Sequence, residues 1–285
     1  MKSGVAWIHA RVSLRGMRAL KRSLGVLLFL LLWEVGAYLI KLKNPQFHSN
    51  IFPSIAYIFT ESLTGIATFA TVDLVRTQQS SVVLALIVLA QNSVVTLTRL
   101  LGGSFIGIGV GIMIGIGIGI SKLFRRLFGP LLNVVRTVPL LALIPLFLVW
   151  FGGAEIGIYL YIIFGLAMFM LVYTANAVQN VQPIYIEFAK TLGASKGQVF
   201  RTVILPAIVP ELAGGTRVCL GIAWGITLAG EYLAAQDGLG RILIWSQIYM
   251  FAGRMVIIVL LFMMYAILIN TVVLRLKEYA AGWMP

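Results

Sequence analysis

The sequence predicts an all-α polytopic membrane protein with six transmembrane helices. Its 285 residues are 60% hydrophobic and only 11% charged, with a mean hydropathy of +0.99, which is too apolar for a domain surrounded by water. Crossing a hydrocarbon core of about 30 Å takes about 20 helical residues, and six apolar stretches are long enough. We place these spans near residues 24–42, 94–120, 129–151, 156–179, 211–234 and 254–274.

We expect a single membrane domain over residues 24–284, preceded by a basic cytoplasmic segment over residues 1–23. In that segment four arginines recur at helical spacing and share one face: Arg11, Arg15, Arg18 and Arg22. Two interpretations stay open, namely an interfacial helix held by anionic lipid head groups and a disordered positive flank. The first span, "LGVLLFLLLWEVGAYLI", lacks a small-residue cleavage pattern, so we expect an uncleaved anchor. Its Glu34 is expected to pair inside the bundle.

The second span carries glycines at intervals of four, which places them on one helical face and predicts close approach of another helix. These are Gly103, Gly107, Gly111, Gly115 and Gly119. The apolar residues 81–90 are too short to span, and they either extend this helix or lie at the interface. The third span must include Pro139 and Pro145, because starting at Pro139 leaves too few residues to cross. We therefore expect one kinked helix.

The cations predict the orientation. With a cytoplasmic amino terminus, 14 Lys and Arg residues flank the spans on the inside and 5 on the outside, which fits the positive-inside rule and puts both termini in the cytoplasm. The inside set is Lys2, Arg11, Arg15, Arg18, Lys21, Arg22, Lys122, Arg125, Arg126, Lys190, Lys196, Arg201, Arg275 and Lys277; the outside set is Lys41, Lys43, Arg76, Arg241 and Arg254.

The cytoplasmic segment 181–209 contains a polar stretch, "EFAKTLGASKGQVFRTVILP", that predicts a rigid helix–turn–helix. A short helix over 185–192 ends at Gly193, and Ser195 with Gln198 has the spacing of a capping box that begins a second helix. Pro206 is expected to end that helix, and Pro210 to start the fifth span. The apolar side chains of Phe188, Leu192 and Phe200 are expected to be exposed, which suits docking into another protein.

This stretch resembles the "EAA" loop of the permease subunits of binding-protein-dependent ABC importers. The matching residues are Glu187, Ala189, Gly193, Val203, Leu205 and Pro206, while Phe188 replaces an alanine of the family pattern. The stretches "TLTRLLGGSFIGIGVGIMIG", "RTVPLLALIPLFLVWFG" and "GEYLAAQDGLGRIL" are similar to the nitrate, sulfonate, taurine and bicarbonate branch. The likeness covers roughly residues 94 to 275, and segment 62–92 is longer than usual there.

The resemblance implies a type I importer fold and a transport subunit that is not itself an enzyme, in a bacterial inner membrane. It implies a permease homodimer, two cytoplasmic ATPases that bind ATP and Mg²⁺, and an extracytoplasmic solute-binding protein, with a small anion as substrate. This chain would bind no cofactor. The residues expected to couple to the ATPase are Glu187, Phe188, Ala189, Leu192, Gly193, Ala194, Leu205 and Pro206.

Charges inside spans are costly and are candidates for function. Arg99 either attracts an oxyanion or extends to lipid head groups. Arg136 and Arg217 are expected to anchor cytoplasmic helix ends, and Glu231 to hold "GEYLAAQDGLG" against a neighbouring helix. The sequence shows no metal-ligand cluster, since its two histidines and Cys219 are isolated.

Other functions are less well supported. The chain has no phosphate-binding loop of its own, and its basic residues are not interleaved with aromatic residues as nucleic-acid binding requires. A membrane enzyme would need a cluster of catalytic side chains, which is not apparent. The remaining alternative is a self-sufficient secondary transporter or channel, which predicts acidic relays and an internal repeat.

Overall fold

Helices make up nearly all of the chain that the computed structural model describes, namely residues 24–46, 48–70, 81–135 and 137–280. The basic segment 1–23, with its arginine face, and residues 71–80 lie outside the described residues. The helices are α1 Leu24–Lys43 and α2 Ile55–Phe69, then α3 Ser81–Ile120, α4 Lys122–Val135, α5 Leu140–Phe151, α6 Glu155–Asn180, α7 Pro183–Thr191, α8 Lys196–Val199, α9 Leu205–Ala234, α10 Leu239–Ile248 and α11 Ala252–Ala280.

Within the described ranges, five helical stretches are long and apolar enough to cross a membrane. They are α1, α3, α6, α11 and the continuous rod that α8 and α9 form, and each overlaps one predicted span. Residues 81–90 prolong α3, which settles one alternative left open by the sequence. At 40 residues, α3 is about 60 Å long, twice the thickness of a hydrocarbon core, so a large part of it stands outside the bilayer.

The prediction of one kinked helix over 129–151 is wrong, because the chain forms α4 and α5 with a break between them. Pro139 is the N-cap of α5 and has an extended backbone, with φ −63° and ψ 118°. Proline also biases the residue before it away from the helical conformation, so the break falls just ahead of Pro139. Pro145 lies inside α5. With 12 residues, α5 is about 18 Å long and does not cross the bilayer alone.

The central contact of the bundle joins α3 to α6 through five of the glycines of α3, namely Gly103, Gly107, Gly111, Gly115 and Gly119. An added Cβ at any of them would approach an atom of α6 to between 2.5 and 2.9 Å, closer than side chains pack. The absent side chains therefore let the two helices approach closely, and dispersion contacts accumulate along their interface. We call this interface between the five glycines of α3 and the facing residues of α6 the glycine seam. The facing residues of α6 are Ile162, Ile163, Ala167, Thr174, Leu171 and Val178.

A second apolar core lies at the end of the bundle that carries α10. It packs α2, the first turns of α3, α10 and the start of α11 around the buried residues Ile58, Ile66, Val88, Leu239, Ile242 and Ile258. The start of α2 is fixed to α1 by two hydrogen bonds. The Trp33 indole donates to the Pro53 carbonyl at 2.9 Å, and the backbone N–H of Ile55 donates to the Glu34 carboxylate at 2.6 Å. We expected Glu34 to pair inside the bundle, and its partner is the N-terminus of α2, where a carboxylate is favourable.

We predict that Gly111→Ala destabilises the protein whereas Gly109→Ala does not. An added Cβ at Gly111 would meet the Ala167 carbonyl oxygen at 2.7 Å, while one at Gly109 meets no heavy atom within 4 Å. Overpacking costs about 1–3 kcal/mol, more than the roughly 1 kcal/mol by which alanine improves a helix over glycine. Thermal unfolding in detergent measures both variants, and equal responses would show that the seam does not depend on glycine.

Candidate functional site

The segment 181–209 folds into two short helices joined by a tight turn. Pro183 occupies the first turn of α7, where a missing N–H costs nothing. After α7 the N–H of Gly193 donates to Lys190 at 2.9 Å and the N–H of Ala194 donates to Ala189 at 3.1 Å, the bond pair of a Schellman motif. Gly193 has φ +83°, a conformation that residues with a side chain rarely adopt.

The second helix begins at the capping box that the sequence predicts. The Ser195 N–H donates to the Gln198 side chain at 2.8 Å, and the Gln198 N–H donates to the Ser195 hydroxyl at 3.4 Å. These reciprocal bonds satisfy donors that the helix start leaves free. They also fix the angle at which the chain leaves the turn.

The expectation that Pro206 ends this helix is wrong. A π-helical turn over Phe200–Ile204 joins α8 to α9, and both Pro206 and Pro210 lie within the helical rod. In a regular α-helix the ring of Pro206 would crowd the carbonyl four residues earlier. The wider turn, in which the N–H of Leu205 donates to Phe200, accommodates the ring, so the rod continues into the membrane.

One side of the segment is anchored to the bundle. Val199, Ile204 and Ile208 are buried against Ala177 and Val178 of α6. The half-buried residues Ala189, Ala194 and Phe200 pack on the same cluster. The expected exposure of Phe200 is therefore wrong, since its ring belongs to the internal face. The cluster ties α7 and α8 to the end of α6.

The opposite side of the segment presents apolar side chains to the outside. Phe188 is 64% exposed and Leu192 is 73% exposed, and Ile184 and Tyr185 of α7 are exposed beside them. We call this set of four the apolar tip. Of the other residues singled out from the sequence, Glu187, Gly193, Leu205 and Pro206 are also exposed. A rigid segment with an apolar tip has the form of a docking element.

A cluster of charges lies around Arg99, whose side chain is only 1% exposed. Its guanidinium donates to Glu155 through Nε at 2.7 Å and to Glu231 through Nη1 at 2.9 Å. It also donates to the carboxylate and the backbone carbonyl of Asp237. The expectation that Arg99 extends to lipid head groups is wrong. Because three carboxylates compensate its charge, it is also poorly suited to attracting an anion.

Glu231 is fully buried and holds the turn between α9 and α10. It accepts from the Thr96 hydroxyl at 2.9 Å and from the Gly240 N–H at 3.0 Å. The Gly238 N–H donates to Asn92 at 2.8 Å. As expected from the sequence, Glu231 thus fixes the "QDGLG" turn to a neighbouring helix. The sequence did not lead us to Glu155 and Asp237 as partners of Arg99. Each of them lies at a turn next to a predicted span, Glu155 before the fourth span and Asp237 after the fifth.

Several cavities open between helices in the described part of the chain, and two of them are lined by residues of α5, α6, α9 and α11. One of 510 Å³ lies between α5 and α6, with walls that include Leu140, Phe164 and Tyr173. The other, of 320 Å³, lies between α9 and α11 and includes Arg217 and Asn270. Arg136, which the sequence proposes as an intramembrane charge, lies outside the described residues.

The fold and the helix–turn–helix define the class: this is a membrane subunit with the fold of type I ABC-importer permeases. Solved structures of a methionine ABC transporter in inward-facing conformations match with a TM-score of 0.58 at 22% identity, covering 68% of this chain and 96% of that chain. A crystal structure of an amino acid ABC transporter matches with a TM-score of 0.55 at 20% identity, covering 73% and 99%.

The chain belongs to the family of binding-protein-dependent transport system inner membrane components, whose model matches residues 107–284. It is 36% identical over 154 residues to a taurine transport system permease protein of Escherichia coli (strain K12), which covers 53% of this chain and 54% of that protein. It is 31% identical over 155 residues to a nitrate import permease protein of Leptolyngbya laminosa, covering 54% and 55%.

A protein named as an aliphatic sulfonates transport permease of Bacillus subtilis (strain 168) is 31% identical over 181 residues, covering 64% of this chain and 66% of that protein. The chain therefore spans between about half and two thirds of the length of these three relatives. The branch that the sequence resembles is thus confirmed. Their substrates are properties of those proteins.

We predict that Arg99→Met strongly destabilises the fold and that adding Glu231→Gln restores part of the loss. Removing the guanidinium leaves the Glu231 charge buried without its cation, a change that costs about 3–5 kcal/mol. Glutamine keeps one side-chain oxygen that can accept from both Thr96 and Gly240, but it carries no charge. Unfolding midpoints in detergent compare the two proteins, and a double variant no more stable than Arg99→Met would contradict the electrostatic explanation.

Proposed function

We propose that this chain is the transmembrane subunit of an ATP-driven importer and forms the translocation pathway as a homodimer. Two separate ATPase subunits would supply ATP hydrolysis and hold the Mg²⁺, and a solute-binding protein would deliver the substrate. The names of the relatives support a small anion of the taurine, sulfonate or nitrate type as that substrate. The proposed unit is one membrane domain over residues 24–284, without a cofactor of its own.

This proposal rests on how the segment 181–209 is packed and which of its side chains are exposed. Its apolar tip faces away from the bundle, whereas its other side is packed against α6. The segment also continues through the π turn into α9 without a flexible link. A partner bound at the tip can therefore displace α9 as a lever, which is how a two-state helix bundle is biased from outside.

The bias of cations supports placing this segment and both chain termini in the cytoplasm of a bacterial cell, where the ATPases would be. Among the coupling residues, Phe188 and Leu192 would fill an ATPase cleft. Gly193 and Ala194 would set the turn, and Glu187 would meet a basic group. Leu205 and Pro206 would shape the start of α9, next to the π turn. The glycine seam would keep α3 and α6 together while α9 moves.

Reconstitution tests the proposal directly. The chain is expressed with candidate ATPase and binding-protein subunits from the same genome, and uptake of radiolabelled taurine, an alkanesulfonate and nitrate into proteoliposomes is followed with and without ATP. ATP-dependent uptake that also needs the ATPase subunit supports the proposal. Accumulation by the purified chain alone would instead establish a secondary transporter or channel.

We predict that Gly193→Val inserts normally but uncouples ATP hydrolysis from transport. At φ +83° a β-branched residue is strained by about 1–3 kcal/mol, so the turn opens and coupled uptake falls by about tenfold. Gly197→Ala is the matched control, because Gly197 has an ordinary helical backbone and open space for a Cβ. Uptake at the parental rate by a well-expressed Gly193→Val protein would contradict the assigned role.

We also predict that Phe188→Ala combined with Leu192→Ala releases the ATPase subunits without destabilising the membrane domain. Both side chains are largely exposed, so their loss costs little folding energy, whereas truncating two apolar anchors at an interface costs about 2 kcal/mol or more. Co-purification of the ATPase and the unfolding midpoint are measured together. Lys190→Ala, an exposed change on the same helix, is the control, and undiminished co-purification of the double variant would count against this docking surface.

A further inference from the structure

Arg217 occupies a position on α9 that sets it apart from the compensated Arg99. Its Nε donates to the Asn270 side-chain oxygen of α11 at 3.2 Å, and the side chain is exposed at the helix surface. Among the described residues, no carboxylate lies within 4.0 Å of its guanidinium. Within the ranges that the structure describes, the two terminal nitrogens of Arg217 have no hydrogen-bond partner.

Arg254, near the start of α11, is stabilised by neutral groups that include an aromatic ring. The guanidinium of Arg254 lies 4.2 Å from the centroid of the Phe251 ring and donates to Thr68 at 3.3 Å. Arg217 has a neutral amide as its partner. Charges within membrane spans are costly and normally pair with a counter-charge, so an anion is expected at Arg217. Its Nε bond to Asn270 orients the fork of terminal nitrogens, which suits bidentate binding of an oxyanion.

The cavity beside this guanidinium has a volume of 320 Å³ and is otherwise mostly apolar. Its walls include Leu220, Trp224, Met263 and Ile267. Gly221 contributes open space, because an added Cβ there meets no heavy atom within 4 Å. The Trp224 ring is held by Phe262, with ring centroids 5.6 Å apart. The cavity therefore offers one cationic end and an apolar body.

We propose that this cavity binds an organic oxyanion, with the charged group at Arg217 and Asn270 and an apolar portion against Trp224 and Met263. Arg217 lies six residues along α9 from Glu211, about 9 Å of helix rise, and Glu211 meets Asn180 at the end of α6. That depth allows two sources of the same chemistry. One is a soluble organic sulfonate, whose role as a transported substrate rests on the function proposed above; the other is the phosphate of an anionic lipid.

The test measures binding, so it does not depend on transport. The full chain is purified in a phosphate-free sugar detergent with its lipids removed, and its thermal unfolding midpoint is titrated with hexanesulfonate and, separately, with dioctanoyl phosphatidylglycerol. Two variants address the site. Arg217→Gln removes the charge, and Asn270→Asp places a carboxylate where Arg217 Nε now meets an amide oxygen, which neutralises the arginine while keeping the contact. Arg126→Gln, an exposed cation on α4, is the charge-matched control.

We expect saturable stabilisation of the parental chain and of Arg126→Gln, with half-saturation shifted at least about tenfold higher in Arg217→Gln and Asn270→Asp. Asn270→Asp keeps its own stability, which separates lost binding from lost folding. Saturation by hexanesulfonate identifies the soluble source, and saturation by phosphatidylglycerol alone identifies the lipid.

Absence of saturation by both compounds, or equal half-saturation in the parental chain and the two site variants, would overturn the proposal. The function proposed above is judged separately, by ATP-dependent uptake with the ATPase present. A protein that transports with ATP but binds neither compound would overturn only the site at Arg217. A protein that binds at Arg217 but does not transport would overturn only the proposed function.

Discussion

The close approach of α3 to α6 is the contact on which the rest of the structure depends. Lipid gives apolar helices little reason to associate, so their stability comes from dispersion contacts and from hydrogen bonds between them. Five glycines on one face of α3 provide those contacts along several turns. Both helices are long. Arg99 lies near the middle of α3, and the segment 181–209 follows the end of α6. The seam therefore holds the frame within which α9 is placed.

Helix α9 connects two differently built ends. At one end Glu231 is locked to α3 and to the following turn by buried hydrogen bonds and an ion pair. At the other end α9 continues through the π turn into α8, which belongs to the segment 181–209. The apolar tip on α7 is joined to this rod by the turn at Gly193, so a displacement applied at the tip passes through that turn and then along α8 and α9 towards the charge cluster. Because packed helices have few intermediate arrangements, such a rod favours discrete states over gradual deformation.

Features encoded by neighbouring residues could be predicted from the sequence. The glycine face, the turn at Gly193 and the capping box of Ser195 each follow from spacing within a few residues. The partners of Arg99 could not be predicted, since Glu155 and Asp237 are 56 and 138 residues away and meet it only after the helices pack. The two prolines show the same limit of sequence-based prediction. Each can either end a helix or lie within one, and the surrounding packing decides that the helix breaks before Pro139 and continues through Pro206.

The π turn over Phe200–Ile204 determines the direction in which the apolar tip points. A turn of this kind holds one residue more than an α-helical turn, and each residue of an α-helix rotates the chain by about 100°. The direction in which Phe188 and Leu192 point, relative to the lipid-facing and protein-facing sides of α9, is therefore set by a single surplus residue. Loss of that residue in a related chain would turn the apolar tip by more than a quarter of a revolution, so an insertion or deletion here redirects the tip without altering any of its side chains.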